Sequence, residues 1–283
     1  MDLKQMTVCV TGGSGFIGKH LMAAIPWAHQ FWYPEHDLRD MRDAWEWIND
    51  WKPDVVFHLA AQSVVTNEQP MDSLTTNIDG TYNLLEACRI VGTVKSFVHI
   101  STDKVYGDND KAGTTSPLRG TDHPYNASKV CGDIAAQLYG SYYAMPIHIV
   151  RTGNIYGPND THYDRIVPGT IKAVMEGKPL ELRSDGQFIR DYIYVKDLIP
   201  AYLRIADEKP GIYNLGGESW KVIDIVQTIL HLMGREDLHP VILNNAHNEI
   251  PVQHIVDCPD WWQPETSLED GLRETVEWYS NRA

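Results

Sequence analysis

Along the first half of the chain, short apolar runs alternate with stretches long enough to be helices. The runs are Thr7–Val10 (TVCV), Val55–Ala61 (VVFHLAA), Ser96–Ser101 (SFVHIS) and Ile147–Thr152 (IHIVRT). Their length and β-branched content fit buried strands, and the long spacers fit crossover helices. Such an alternation predicts right-handed βαβ units and a parallel sheet. Thr76–Val91 and Asn126–Tyr143 are predicted helices, the second using Ala127, Ile134, Ala135 and Leu138 for small and apolar contacts. Apolar residues lie widely around both, so neither has a cleanly polar outer face, and a second subunit is expected to cover part of each. Beyond Gly157 the regularity weakens. Pro158, Pro168 and Pro179 punctuate a stretch that also holds the strand-like runs LELRS, DYIYV and GIYNLGG. The expected architecture is an α/β fold: a doubly wound parallel sheet from residues 1–155, to which some later segments return, and a smaller lobe mainly from 156–283.

Composition narrows the function. With 283 residues and 43% hydrophobic content the chain can bury a sizeable core, as one domain or two coupled ones. Against 24 Lys and Arg stand 38 Asp and Glu, a formal charge of −14, which argues against a nucleic-acid or anionic-membrane partner. No apolar run approaches the ~20 residues of a membrane span. The start, MDLKQMTVCVTGG, has no signal-peptide layout. Cys9, Cys88, Cys131 and Cys258 are scattered without CxxC spacing. No structural metal or disulfide framework is expected, and a reducing cytoplasm fits best.

Candidate chemistry begins at TVCVTGGSGFIGKHLM, where Gly12, Gly15 and Gly18 lie between a strand and a helix. Gly12 allows a tight turn, Gly15 lets backbone approach a pyrophosphate, and Gly18 lets the helix pack near the strand. The helix N-terminus then offers free N–H groups to phosphate. This predicts a Rossmann-type dinucleotide site. The acidic residue that usually follows ~20 positions later, at the end of the second strand, has no clear counterpart. FWYPEHDLRD leaves room for a short strand only, then supplies Glu35 and Asp37. Asp37 with Leu38 reads as an adenine-contacting turn, or Glu35 and Asp37 are solvated turn acids. With no obvious arginine beside the turn for a 2′-phosphate, the reading is NAD, with NADP not excluded.

Tyr125-Asn126-Ala127-Ser128-Lys129 places a phenol and an ammonium four residues apart on one helical face. A cationic Lys129 favours the phenolate of Tyr125, making a general base for a hydroxyl proton during hydride transfer. An exposed helix pair is the alternative reading. The position of the pair after SFVHIS and STDKVYG favours catalysis.

The segments TGGSGFIG, HLAAQS, NIDGTYNLLEA, STDKVYG, YNASK, RTGNIYGP, RDYIYVKD, YNLGG and SLEDGLRETVEWY occur in the order found in extended short-chain dehydrogenases, and the chain resembles that family over nearly its whole length. The resemblance implies NAD(P) in the Rossmann domain and a nucleoside diphosphate sugar in the smaller lobe. It implies cofactor contacts from Gly12, Gly15, Phe16, Ile17, Gly18, Asp37, Leu38, Leu59, Ala60, Ala61, Asn77, Tyr125 and Lys129. Thr102 matches the hydroxyl residue beside the catalytic tyrosine, while Ser63, Thr102 and Asn154 match positions facing the sugar or its diphosphate. Arg190 matches an arginine on the substrate phosphates; a salt bridge to Asp191 or Asp197 is the alternative. A homodimer through a four-helix bundle is also implied.

Within the family, Asp103 and Lys104 after Thr102 resemble the Asp-Lys of CDP-glucose 4,6-dehydratases and some UDP-N-acetylglucosamine dehydratases, where the dTDP-glucose enzymes have Asp-Glu, and HLAAQS and EIPVQHIVD lean toward the CDP-glucose side. An acid and a base beside the hydride site suit elimination, one taking the proton at sugar carbon 5 and the other protonating the hydroxyl leaving carbon 6. A surface ion pair is the bland reading. Two features depart from the pattern: a helix–strand portion is missing between Gly18 and Asp37, and the usual LGW segment is curtailed to CPDWWQPETS. The expected reaction is an NAD-dependent nucleotide-sugar 4,6-dehydration, with 4-epimerase or 4-keto-sugar reductase as the runner-up. A non-catalytic NAD(P) sensor would typically have lost Tyr125 or Lys129.

Overall fold

The computed structural model describes residues 1–63, 70–245 and 250–282. In chain order its elements are β1 (Val8–Thr11), α1 (Phe16–Ala24), β2 (His29–Phe31), α2 (Met41–Trp51), β3 (Val55–His58), α3 (Pro70–Leu74), α4 (Gly80–Val91), β4 (Ser96–Ile100), α5 (Pro124–Tyr142) and β5 (Ile147–Thr152). There follow β6 (Asn154–Tyr156), α6 (Ile166–Glu176), β7 (Glu181–Leu182), β8 (Ile189–Tyr194), α7 (Val195–Ile205), β9 (Gly211–Leu215), β10 (Glu218–Lys221), α8 (Val222–Leu232), β11 (Val241–Ile242), β12 (Val252–Gln253) and α9 (Leu268–Ser280). The chain divides into two compact units. The first comprises Met1–Gly107, Ser116–Arg151 and Ile199–Asn214; the second comprises Asp108–Thr115, Thr152–Leu198 and Leu215–Ala283.

The first unit carries a six-stranded sheet in the order β2-β1-β3-β4-β5-β9. Its β2–β1, β1–β3, β3–β4 and β4–β5 pairs are all parallel, as the alternation of apolar runs predicts. Strands β1, β3, β4 and β5 are buried at every position, which explains why their sequences are continuous apolar runs rather than alternating ones. The core on one side joins Trp47 and Ile48 of α2, Leu84, Leu85 and Cys88 of α4, and Phe97 and Ile149 of the sheet. Around the compaction between Gly18 and Asp37 the chain forms the rest of α1, a helix of nine residues that starts at Phe16, and a three-residue edge strand. Helix α4 starts later than the periodicity predicts, because Thr75–Asp79 forms a wider π turn before it. Gly92, at φ +72°, closes it.

The second unit packs α6, α8 and α9 over a sheet in which β8 pairs antiparallel with β10 and parallel with β6 and β12. Its core is rich in tyrosine: Tyr156, Tyr192, Tyr194 and Tyr279 lie among Ile225, Ile229 and Leu272. Three of the phenols donate hydrogen bonds, Tyr156 to the Leu268 carbonyl, Tyr194 to Glu274 and Tyr279 to the Asp160 carbonyl. The units divide after Arg151, four residues before the boundary suggested by pattern alone. Asp108–Thr115 joins the second unit because Ala112 bridges to Ile255, its N–H on the His254 carbonyl and its own carbonyl accepting from Val256.

Candidate active site

The glycine turn follows β1. Gly12 has φ +71°, and a Cβ there would stand 2.6 Å from the Ala60 nitrogen, so only glycine allows β1 and the exit of β3 this close. At Gly18 a Cβ would meet the Gly12 carbonyl oxygen at 2.1 Å, so glycine is what permits α1 to begin directly over the turn. Thr11 stitches the same region, its carbonyl accepting from Leu59 and its hydroxyl from Ala60. Gly12, Gly15, Phe16, Ile17, Gly18, Leu59, Ala60 and Ala61 therefore converge on one end of the sheet. Gly15 caps α1 without a side chain, leaving first-turn N–H groups for an anion. This cradle, closed to a Cβ at Gly12 and Gly18 and lined by backbone donors, fits a dinucleotide pyrophosphate.

Farther along the edge, Arg39 grips Asp37, with its Nε at 2.9 Å and Nη2 at 2.5 Å from Oδ2. The guanidinium holds the Asp37 carboxyl below its usual range. An arginine does stand beside this turn, which corrects the sequence reading: it lies two residues on, paired to the very acid proposed as a cofactor contact. Leu38 is buried in the core, so any contact it offers comes from backbone, and Asn83 holds the carbonyls of both Leu38 and Arg39.

Asn77 projects from the π turn. It accepts from the Gln62 N–H (2.8 Å) and donates to the Gln62 carbonyl and to Ser128 Oγ (2.8 Å). It thereby ties the entry to Ser63 to the first turns of α5. That helix starts where Pro124 occupies its first turn and the His123 side chain accepts from the Tyr125 N–H. Tyr125, Lys129 and Asp133 then recur every fourth residue along one face. Lys129 is buried and donates to the Ile100 carbonyl at 2.7 Å; burial pushes its pKa down to about 8, with Asp133 pulling the other way. Beneath it lie two buried histidines. His58 bridges the hydroxyls of Thr11 and Thr81 and is held neutral, its pKa pushed down to about 3 by burial and by Lys129. His99 is driven the same way.

The exit of β4 places Thr102 as the cap of a 3-10 turn, Asp103–Tyr106. Thr102 Oγ1 donates to Asp103 Oδ1 at 3.0 Å, and Lys104 Nζ stands 3.5 Å from Oδ2. The Asp103 side chain is 7% exposed and that of Lys104 25%. Asp103 is therefore a buried carboxylate with two donors rather than half of a surface ion pair.

Sequence reasoning missed the network behind this turn. Arg151, at the end of β5, makes a double contact with Asp133, Nε to Oδ2 at 2.9 Å and Nη2 to Oδ1 at 2.7 Å. Its third nitrogen reaches the Tyr106 hydroxyl, which donates to Asn214. Asp133 also accepts from Ser101 and Gln137. The available signal was Asp133 at the next step of the Tyr125–Lys129 spacing, and Arg151 within RTGNIYGP.

Asn154 and Arg190 belong to the second unit. Asn154 donates to the Asp191 carbonyl at 3.2 Å, and Arg190 Nη1 to the carbonyls of Ile189 and Pro251. Asp191 accepts from Ser219 and the Ile255 N–H and contacts His254; Asp197 accepts from Thr266. Glu249, which opens the EIPVQHIVD run, lies outside the described residues. Among those described there is no group of three or more His, Cys, Asp or Glu placed to hold a metal, and no helix long and apolar enough to cross a membrane. All four cysteines are free.

The chain is similar to known proteins. The chain is 31% identical to the dTDP-glucose 4,6-dehydratase of Haemophilus influenzae, over 97% of this chain and 98% of that one. It is 33% identical over 80% of its length to a trifunctional UDP-glucose 4,6-dehydratase, 3,5-epimerase and reductase of Arabidopsis thaliana, spanning 36% of that longer protein. Among solved structures it matches the UDP-glucose 4-epimerase of Thermotoga maritima with a TM-score of 0.89 at 26% identity, covering 98% of this chain and 99% of that one. It matches the dTDP-glucose 4,6-dehydratase of Streptomyces venezuelae, solved with NAD, with a TM-score of 0.86 at 25% identity, covering 98% and 97%. The sequence pattern of the NAD dependent epimerase/dehydratase family spans residues 8–216. With its glycine cradle, its Tyr125–Lys129 face and its sequence in agreement, the chain belongs to the NAD dependent epimerase/dehydratase family.

Proposed function

We propose that the protein is an NAD-dependent 4,6-dehydratase of a nucleoside diphosphate hexose. The observation that carries this reading is the buried Thr102–Asp103–Lys104 contact. An Asp carboxylate beside a Lys ammonium holds one mobile proton; moving it across the 3.5 Å contact turns Asp103 into a general acid and Lys104 into a general base. Those are the two forms that elimination requires.

The glycine cradle, with Leu59–Ala61, Asn77 and the Asp37 turn, would hold NAD, which supplies the hydride acceptor and later the donor. Tyr125 takes the proton of the carbon-4 hydroxyl, with Thr102 beside it and the Lys129 charge favouring phenolate. The carbon-4 ketone acidifies the carbon-5 proton, which Lys104 removes. Asp103 protonates the hydroxyl leaving carbon 6 as water. A proton returned to carbon 5 by Lys104, with hydride to carbon 6, completes a 4-keto-6-deoxy sugar. Ser63, Asn154 and Arg190 are assigned to the sugar and its diphosphate, Arg190 as a charge-assisted donor. The near-full-length likeness to dTDP-glucose dehydratases supports this reading. The likeness to a 4-epimerase structure supports a second one, in which Tyr125 alone carries the proton traffic.

Lys104→Ala and Asp103→Asn separate the two. In a dehydratase both should still oxidise carbon 4, then stall, losing ~10²–10⁴ in the rate of water loss while reduced nicotinamide accumulates in a single turnover. Near-normal release of a product of unchanged mass from both variants would replace the dehydratase with the epimerase.

The proposal extends to a homodimer. Ile134, Leu138 and Tyr142 form an exposed stripe at every fourth residue of α5, and Tyr82 and Ile90 expose apolar surface on α4. Two copies pairing these helices would bury both stripes. Light scattering at micromolar concentration should give twice the 32.1 kDa chain mass, and a monomer would refute the pairing. The unpaired cysteines, two of them buried, suit a reducing cytoplasm.

A further inference from the structure

Two hydrogen bonds, one helical turn apart, join the end of β4 to α5: Lys129 Nζ to the Ile100 carbonyl, and Ser101 Oγ to Asp133 Oδ2, both at 2.7 Å. Thr102 is the next residue. The exit of β4 just before Thr102 is thus pinned to α5 by adjacent residues of the strand end, Ile100 through its carbonyl and Ser101 through its hydroxyl, and by side chains one turn apart on the helix. Asp133 is fixed in turn by the Arg151 guanidinium, and the same guanidinium holds Tyr106, the last residue of the Asp103–Tyr106 turn. One buried carboxylate therefore reaches both flanks of the turn through no more than one intermediary.

We propose that Asp133, held by Arg151, is a positioning residue of this site: it docks the exit of β4 on α5 and supplies the negative charge facing the Lys129 ammonium. A charge is needed there. Lys129 is buried; His58 on β3 and His99 on β4 feel its charge and are neutral, His99 also feels Arg151, and Tyr125 precedes Lys129 by one turn of the same helix. Among the described residues, Asp133 is the charge that favours the protonated form of Lys129. Removing that carboxylate would let Lys129 lose its proton more easily, and with the ammonium goes the charge that favours a phenolate at Tyr125.

The inference rests on Tyr125 and Lys129 being the oxidising pair, not on elimination. The test therefore follows only carbon-4 oxidation, read as reduced-nicotinamide absorbance in a single turnover with NAD and a nucleotide hexose that the wild type oxidises. Asp133→Asn alone strands the Arg151 charge and can unfold the chain, so the working variant is the double Asp133→Asn/Arg151→Gln, checked by thermal melting and NAD affinity. It should fold and bind NAD within about three-fold of wild type, while its rate at pH 7 falls about ten-fold and the rise of rate with pH moves up by about one unit. Asp133→Glu, which keeps the charge, should keep the wild-type profile. A folded double variant whose profile stays within about 0.3 unit of wild type overturns the proposal, whatever its absolute rate. If the double variant does not fold, Ser101→Ala decides, because it removes one neutral hydroxyl. A fall in rate of about five-fold at unchanged NAD affinity supports the docking role, and a wild-type rate overturns it.

Discussion

Asp37–Arg39 and Asp133–Arg151 are the same chemical pair in one folding unit, each with a guanidinium across a carboxylate. Arg39 and Asp37 are two residues apart, with side chains 39% and 31% exposed. Arg151 and Asp133 come from a strand and a helix, eighteen residues apart, with side chains 1% and 0% exposed. The exposed pair sits in a high-dielectric setting and is worth ~0–1 kcal/mol. The buried pair has given up the hydration of both ions, so its net value over an apolar pair is small, but breaking it costs about 3–5 kcal/mol. Local sequence spacing sufficed to bring the first pair together. The second exists only because β4, β5 and α5 are packed, and it constrains all three.

The sharpest attack on this contrast is Asp133→Asn, which leaves Arg151 buried without its countercharge. It should lower unfolding free energy by about 3–5 kcal/mol in denaturant titration. A loss under 1 kcal/mol would place the buried pair in the same class as the exposed one. Lys129, proposed above as the partner of Tyr125, sharpens the point from the opposite direction, as a buried cation held at a cost in stability. With its pKa pushed from 10.5 to about 8, Lys129→Met should stabilise the apoprotein at pH 7 by up to about 3 kcal/mol while ending turnover. The sign follows from linkage. Between pH 8 and about 10.4 the unfolded chain holds a proton that the folded chain lacks, so the contribution of Lys129 to wild-type stability rises across that window. The Met variant should lose that rise; an unchanged pH profile would show that Lys129 titrates as in water. The smallest effect is expected from Arg39→Ala, less than 1 kcal/mol at pH 7 and falling further in 0.5 M salt. A larger loss would mean that the Asp37 turn depends on this pair rather than on Asn83, which holds its carbonyls.

Legibility in the sequence followed the same division. Thr102, Asp103 and Lys104 are contiguous, so a motif was enough to single them out, and their contacts are made within the motif itself. Tyr125 and Lys129 were legible because four residues bring a helix back to the same face. The glycine turn could be read because a tight turn and two close approaches leave few alternatives to glycine at Gly12 and Gly18. Arg39, next to Leu38, is not legible as a partner of the turn because its guanidinium is spent on Asp37, a pairing that only the folded turn reveals. The late start of α4 was missed for another reason. A π turn keeps the helical look of the sequence while widening the backbone, and Asn77 uses that widening to reach both Gln62 and Ser128.

The parallel sheet, the glycine turn, the family and a set of candidate residues could thus be read from the chain alone. Each of these depends on periodicity, turn sterics or contiguous motifs, which act over a few residues. Only the tertiary structure decided that Asp103 is a buried carboxylate rather than a solvated one, that Lys129 must be charged in a setting that resists charge, and that Asp133 and Arg151 stand behind both. Burial and long-range pairing are what set those properties. They arise when strands and helices distant in the chain exclude water together, and no local pattern encodes the water that is missing.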